Sequence, residues 1–224
     1  GLQVDDIITR IVDSEQPPQN EPVIVTIDQN SLNTLKNDYN ILWPFPRIVY
    51  GYITDYLKYC GAEAIVFDIL FPQQDIDRLN IPSSTYSDSL FMVSMEKAGN
   101  VVLALQMEDS THQTNNQFYQ GKSHQIEMDI PEQLVNHNYS SATLPLDQFQ
   151  KAATLPGVVN FYSDIDGTCR RLPLFYDYQN STIPFLSLSA LVTAKNIQKI
   201  NYDSSNHNLI AGNYKIPLTR KGLF

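Results

Sequence analysis

The sequence has few charged residues and few cysteines for its length. Of 224 residues only 17% are charged and 2 are cysteines, Cys60 and Cys169. The two cysteines lie far apart in the sequence, and neither belongs to a CxxC or Cys/His pattern, so neither a zinc knuckle nor a redox dithiol is indicated. We expect two buried free thiols; the alternative is one long-range disulfide, if the compartment is oxidising.

Long apolar runs and an excess of basic residues are also missing. The most apolar stretch, residues 64–71, is interrupted by Asp68 and is far shorter than the ~20 residues that cross a bilayer. The start of the chain lacks the charged and apolar regions of a signal peptide. Lys and Arg number 15 against 24 Asp and Glu, and the net charge of -9 repels phosphate backbones. The sequence therefore predicts no nucleic-acid partner.

Motifs of common enzymes are scarce. There is no P-loop, no GxGxxG and no GxSxG, and the four histidines stand in polar segments without metal-ligand spacing. We therefore expect no catalytic residue, no metal and no cofactor.

One string, Asp164 to Thr168, does match the DxDGT motif of haloacid-dehalogenase-type phosphatases, whose first Asp attacks phosphorus beside Mg²⁺. Only 56 residues (224 minus 168) follow it, too few for the remaining catalytic groups. We favour a tight turn over a phosphatase at this string, and predict that the protein is not an enzyme.

Apolar, β-branched runs alternate with helical patterns through the first half of the chain. Residues 23–27, 62–69 and 101–106 are typical of strands covered on both faces. The helices between them favour an α/β fold with a mainly parallel central sheet and flanking helices. One helix would follow Pro46 and end at Gly61. Its core face is predicted to be the stripe Ile48, Val49, Tyr52, Ile53, Tyr56, Leu57 and Cys60.

The second half of the sequence predicts additions to this sheet. Residues 108–143 are polar and are interpreted as a long excursion, with room for a short hairpin. A later antiparallel strand pair, 158–162 and 171–178, would be joined at Asp166-Gly167. A C-terminal hairpin would turn at Gly212-Asn213. For the domain organisation, we assign 1–20 to an amphipathic helix and linker, and 21–224 to a single domain.

Charged side chains recur where the predicted strands end. In open α/β sheets the carboxyl ends of the strands border the ligand crevice. If the first two strands are neighbours, Asp28 and Asp68 lie close together and need a cation, water or an arginine. The structural alternative is that Asp28 caps the next helix and Asp68 accepts backbone N–H groups. The candidate ligand-binding residues are Asp28, Arg47, Asp68, Asp166, Arg170 and Arg171, together with Trp43, which belongs either to a recognition surface or to the core.

Several stretches, taken together and in order, resemble the CHASE domain of the second type, a sensory module of bacterial receptors. They are residues 23–28, 43–47, 61–71, 99–103, 157–160 and 164–174. The resemblance covers most of the chain and assigns the DxDGT look-alike to a motif of the sensor family. One departure is Phe45, which stands where a second tryptophan is common.

The resemblance implies an extracytoplasmic, periplasmic or extracellular, part of a plasma-membrane protein. Transmembrane helices would flank it, and a cytoplasmic output domain such as an adenylate or guanylate cyclase or a histidine kinase would follow. We therefore expect a signal-transduction sensor that binds a small molecule or ion and acts as a homodimer. The alternative is a structural or dimerisation module of a membrane protein that binds no ligand.

Overall fold

The computed structural model describes residues 22–75, 84–109, 117–121, 126–161, 166–167 and 172–218. The chain divides into two compact units, residues 1–43 and 44–224. The predicted helix at the start of the chain lies outside the described residues.

The N-terminal unit contains helix α1, Gln29–Tyr39, which ends at Asn40 with a left-handed φ of 55°. The strand predicted at 23–27 is not formed. These residues enter no strand ladder in the described part of this unit, and Val23, Ile24 and Val25 are 88%, 82% and 63% exposed. A strand needs a neighbour to satisfy its backbone N–H and C=O groups, and β-branched sequence alone does not supply one.

The second unit is built on a mainly parallel sheet, as predicted. Helix α2, Arg47–Tyr59, leads into strand β1, Ile65–Phe67, and helix α3, Ser84–Ala98, leads into β2, Val101–Glu108. β2 pairs in parallel with β1 and with β6, Leu155–Val158, and antiparallel with β5, Ser141–Thr143. Helix α4, Asp147–Ala152, precedes β6. The α/β fold with flanking helices is confirmed.

Two smaller sheets complete the second unit. One has the order β11-β10-β9-β3 and comprises Tyr214–Pro217, Asn208–Ala211, Lys199–Asp203 and Glu127–Asp129. The other has the order β4-β7-β8 and comprises Val135–Asn136, Phe175–Tyr178 and Ser181–Pro184. A 3-10 helix, Glu132–Leu134, precedes β4, and helix α5 spans Leu186–Ala194. The antiparallel pairing of β10 with β11 confirms the C-terminal hairpin.

The later antiparallel pair is formed by other strands than predicted. β6 pairs in parallel with β2, and β7 instead forms a hairpin with β8. The turn of that hairpin is Gln179-Asn180, with φ values of 50° and 59°. Positive φ at both central residues matches the right-handed twist of the flanking strands. The polar excursion supplies β3, β4 and β5, one strand to each sheet.

An aromatic core joins α2, α3 and α4 to one face of the central sheet. Its five rings pack edge-to-face or tilted, with centroids between 5.1 and 6.1 Å apart for the contacts among Tyr50, Phe67, Phe71, Phe91 and Phe149. Such offset arrangements are favoured over face-to-face stacking. All five side chains are buried, so this cluster anchors the helices to the sheet.

Helix α2 does not bury the stripe predicted for it. The residues it buries are Tyr50, Gly51 and Thr54, whereas Tyr52 and Tyr56 are 64% and 65% exposed. The reason is close packing on α3: a Cβ at Gly51 would lie 3.3 Å from Ser94 Oγ and 3.4 Å from the Cα of Phe91. Small residues therefore set the contact, and the tyrosines point away from it.

Cys60, which was predicted to lie on the buried stripe, is exposed. The prediction of a buried thiol is therefore wrong for Cys60, which is a free cysteine. Cys169 lies outside the described residues.

Candidate functional site

The carboxyl ends of the parallel strands form one edge of the central sheet. Helices α2, α3 and α4 each lead into one of these strands and pack on the same face, so their N-termini lie at that edge. The loop after β1 confirms the placement, because Phe71 O accepts from the N–H of Leu146 at the start of α4. Helix N-termini therefore lie together at this edge, and their dipoles stabilise negatively charged groups there.

A buried ionic cluster of Arg47, Asp75 and Asp88 stands at this edge. The N–H of Arg47, at the start of α2, donates to Asp75 Oδ2 at 2.8 Å. The N–H of Asp75 donates in turn to Asp88 Oδ2, on α3, at 3.1 Å. The guanidinium of Arg47 donates to Gln73 O at 3.2 Å and lies 4.8 Å from the ring centroid of Phe71. The cluster thus links the loop after β1 to two helices.

The charges of this cluster are incompletely compensated. Arg47 Nε lies 3.8 Å from Asp88 Oδ1, and neither buried atom has a hydrogen-bond partner. Burial raises the pKa of Asp88, and the Asp75 charge adds to that effect, whereas the Asp75 N–H and Arg47 oppose it. The guanidinium thus stands beside Asp88, whose side chain is 1% exposed, while Asp75 accepts from the main-chain N–H of Arg47. The cluster is therefore sensitive to loss of the arginine charge.

Other side chains at this edge are structural or exposed. Asp68, which directly follows β1, is exposed. The side-chain amide of Asn160, beyond β6, accepts from Met107 N at 2.6 Å and donates to Met107 O at 2.8 Å. Tyr176 donates its hydroxyl to Asn160 O at 2.8 Å. Among the residues that the structure describes, Asp68 is thus a carboxylate at this edge that is exposed to solvent.

Two of the predicted site residues lie in the N-terminal unit. Asp28 caps α1, and its Oδ1 accepts from the N–H and the hydroxyl of Ser31, both at 2.8 Å. These two hydrogen bonds lower the pKa of Asp28. The capping alternative for Asp28 is confirmed. Trp43 is 52% exposed, so its alternative assignment to the core is wrong.

The other predicted site residues lie in the second unit. The guanidinium of Arg47 lies beside Asp88, an acid that the sequence analysis did not name. Asp166 is exposed beside Gly167, whose φ of 82° suits a turn. Asp164, Arg170 and Arg171 lie outside the described residues.

Sequence reasoning missed both acidic members of the ionic cluster. One signal for Asp88 was available: it stands three residues before Phe91 and seven before Met95, both buried, and so lies on the core face of α3. A carboxylate on an apolar helix face needs a partner. Asp75 carries no such signal, because it follows β1 in a loop.

The described residues offer no cluster of three or more His, Cys, Asp or Glu side chains that could hold a metal ion. Within the same ranges, every helix is too short or too polar to cross a membrane. A cavity of about 10 Å³, lined by Leu103, Leu105, Tyr119, Pro145, Gln150, Ala153 and Pro156, has room for about one water molecule.

Comparison with known proteins gives a family but no individual relative. No curated protein matches the chain. No solved structure matches it either. A family profile described as CHASE2 domain matches residues 2–223. CHASE2 domains are extracytoplasmic sensory domains of membrane receptors that carry cytoplasmic output domains. Because the match spans nearly the whole sequence, the chain belongs to the CHASE2 domain family.

Proposed function

We propose that this domain recognises a small molecule or ion outside the membrane and controls a cytoplasmic cyclase or kinase in the same receptor. Its sensory role comes from its family. The observation that carries ligand recognition is the exposed Asp68 at the edge where helix N-termini gather. Asp68 and Asp75 belong to one loop, so a ligand at Asp68 acts on a segment that caps α2 and contacts α3.

The proposed contact residues of the ligand are Asp68 and Asp166, both exposed carboxylates, together with Arg170 and Arg171. Arg47 is assigned a positioning role, because its side chain is 12% exposed, donates to Gln73 O and lies beside Asp88. Asp68, on which the proposal rests, is a carboxylate and favours a positively charged group on the ligand.

Signal transfer would follow from differential binding. A ligand shifts a conformational equilibrium only by the difference between its affinities for the two states. The ionic cluster connects the loop after β1 to the start of α2. A ligand that prefers one conformation of the loop would therefore also act on the helix. In the receptor, two copies of the domain and the flanking transmembrane helices would pass the change to the output domain.

The experiment compares receptors that carry Asp68→Asn or Asp129→Asn. Asp129 is an exposed carboxylate on β3, in a different sheet, and serves as the matched control. Output activity is measured over a panel of candidate cations and small cationic molecules. The thermal stability of the domain is measured with the same panel, since a ligand that binds only the folded state raises it by RT ln(1 + [L]/Kd).

We expect the Asp68 variant to lose the response and the thermal shift, and the control to keep both. An Asp68→Asn receptor with its full stimulus response removes this site from consideration.

The second candidate is a structural or dimerisation module of a membrane protein that binds no ligand. In that case no compound of the panel would raise the stability of the domain, and the receptor would respond only to mechanical change in its flanking helices.

A further inference from the structure

We infer that protonation of His137 strengthens the attachment of β4 to β7 and makes this part of the domain sensitive to pH. The imidazole lies between two carboxylates that come from different elements. Its Nε2 is 3.1 Å from Glu132 Oε1, on the 3-10 helix before β4. Its Nδ1 is 3.7 Å from Asp177 Oδ2, on β7. These three side chains form the His137 bridge, in which each ring nitrogen faces an acid.

The protonation state of the imidazole decides how many of these two contacts are favourable. A neutral imidazole carries one N–H, so its other nitrogen presents a lone pair to a carboxylate. An imidazolium carries an N–H on each nitrogen together with a positive charge, and therefore attracts both acids. Histidine is the side chain that ordinarily changes charge between pH 5 and pH 8. The His137 bridge should therefore strengthen as the pH falls through this range.

The charged groups next to the imidazole are acidic on both sides. Among the described residues, the charged side chains within 4.0 Å of it are Glu132 and Asp177. On β8, the residue paired with Asp177 is the neutral Thr182. Residues 138–140, which follow the histidine, carry no charge in this pH range. The local field around His137 thus favours the protonated ring.

The bridge acts on a short connection between two sheets. β4 has two residues and pairs in parallel with β7. The chain then passes through His137 to β5, which pairs with β2 in the central sheet. A two-residue strand makes few ladder hydrogen bonds, so a side-chain contact at its end adds substantially to its attachment. The charge of one side chain is therefore coupled to how firmly this connection is held.

Packing on both sides of the bridge keeps the connection folded when the bridge is open. Leu134, directly before β4, is buried in the core. The ring of Tyr139 packs against that of Tyr176, with centroids 6.0 Å apart. These contacts do not involve a group that titrates between pH 5 and pH 8. Deprotonation of His137 therefore loosens the connection without unfolding the domain.

This inference goes beyond the proposed function, because the proton is a second input at a site other than Asp68. An extracytoplasmic domain is exposed to the pH of the surroundings. The test below uses the whole domain without a ligand. Its failure is therefore distinguishable from failure of ligand recognition at Asp68.

Amide hydrogen exchange, compared between pH 8 and about pH 5.5, measures the attachment. The N–H of Val135 donates to Glu132 O, and the N–H of Asn138 donates to Asn136 Oδ1, so both amides report on the connection. Protection is expressed relative to the intrinsic exchange rate at the same pH. We expect it to rise roughly three- to tenfold at the lower pH, which is what two exposed ion pairs supply together.

Four variants separate the bridge from general effects of pH. His137→Gln keeps a polar side chain but takes up no proton, so its protection should change by less than about twofold. Glu132→Gln and Asp177→Asn each remove one carboxylate and should each reduce the rise; the Glu132 side chain is 86% exposed, so its replacement leaves the packing intact. His207→Gln is the matched control, because His207 Nδ1 pairs with the Tyr202 hydroxyl at 2.8 Å, and it should keep the rise of the parent.

Three results would overturn the inference. The first is a parent domain whose protection at these amides does not rise as the pH falls. The second is an equal rise in His137→Gln, which would assign the effect to other groups. The third is a full rise in both Glu132→Gln and Asp177→Asn, which would show that the two carboxylates do not take part.

Discussion

Replacing Arg47 with methionine removes the positive charge of the buried ionic cluster while keeping a long, unbranched side chain. Asp88 would then lose the guanidinium that now stands 3.8 Å from it, while the charge of Asp75 would still act on it. The aliphatic packing of the side chain is largely kept, so the change isolates the charge. We expect a large loss of stability without a change of fold.

The magnitude follows from the contacts that are lost. Removing one partner of a buried ion pair costs about 3–5 kcal/mol. The separation of 3.8 Å between Arg47 Nε and Asp88 Oδ1 is long, which places the expected loss near the lower end, about 3 kcal/mol. Since small domains have a free energy of unfolding of about 5–15 kcal/mol, this variant loses a substantial share of its stability.

The assay is urea unfolding followed by circular dichroism, at pH 5 and at pH 8. Burial already raises the pKa of Asp88, and without Arg47 that pKa rises further. A pKa that is higher in the folded state than in the unfolded state makes folding less favourable above the folded pKa. The penalty shrinks as the pH falls below that value and vanishes near the lower pKa of the unfolded chain. The loss of stability should therefore be smaller at pH 5 than at pH 8.

Two further variants serve as controls. Asp88→Asn added to Arg47→Met removes one unpaired charge, and we expect it to restore at least about 1 kcal/mol. Lys215→Met, on the exposed strand β11, should stay within about 0.5 kcal/mol of the parent. The reasoning is refuted if Arg47→Met loses less than about 1 kcal/mol at pH 8, or if the loss is greater at pH 5.

Two other substitutions probe the backbone and the N-terminal unit. In Gly157→Ala the new Cβ would meet the Cα and Cδ1 of Leu186 at 2.7 Å, so β6 and α5 must separate. We expect a loss of about 1–3 kcal/mol in urea unfolding, and an unchanged midpoint would contradict this contact. Asp28→Ala removes the cap of α1, so the protection of the Ser31 and Leu32 amides from exchange, relative to their intrinsic rates at the same pH, should fall. In the parent the same protection should fall as the pH drops through the lowered pKa of Asp28. Unchanged exchange in the variant would exclude the cap.

Local signals predicted much of the fold. The apolar run at 101–106 became the central strand β2, because its side chains are covered on both faces. The Gly212-Asn213 turn and the cap at Asp28 were also predictable, since each depends on residues within four positions. These features depend on few tertiary contacts, so sequence alone carries them.

Features that depend on distant partners were not predictable. The buried face of α2 is set by the close approach of Gly51 to Ser94 on α3. A helical pattern of apolar residues does not predict that a glycine is buried in preference to a tyrosine. The ionic cluster joins residues 13 and 28 positions apart. Residues 23–27 have the apolar, β-branched composition of a strand, but pairing also requires a neighbouring strand, which the sequence does not identify. In each case a long-range contact overrides the local pattern.

The side chain of Asn160 has a consequence for how this sensor can diversify. Its side-chain amide makes the two hydrogen bonds, to the N–H and the C=O of Met107, that a longer neighbouring strand would make. The chain can therefore leave the sheet at Phe161 while the N–H and the C=O of Met107 both remain hydrogen-bonded. A change in the length of the chain after Phe161 would therefore leave the pairing of β2 intact, because the Asn160 side chain and not a longer strand satisfies the end of that ladder.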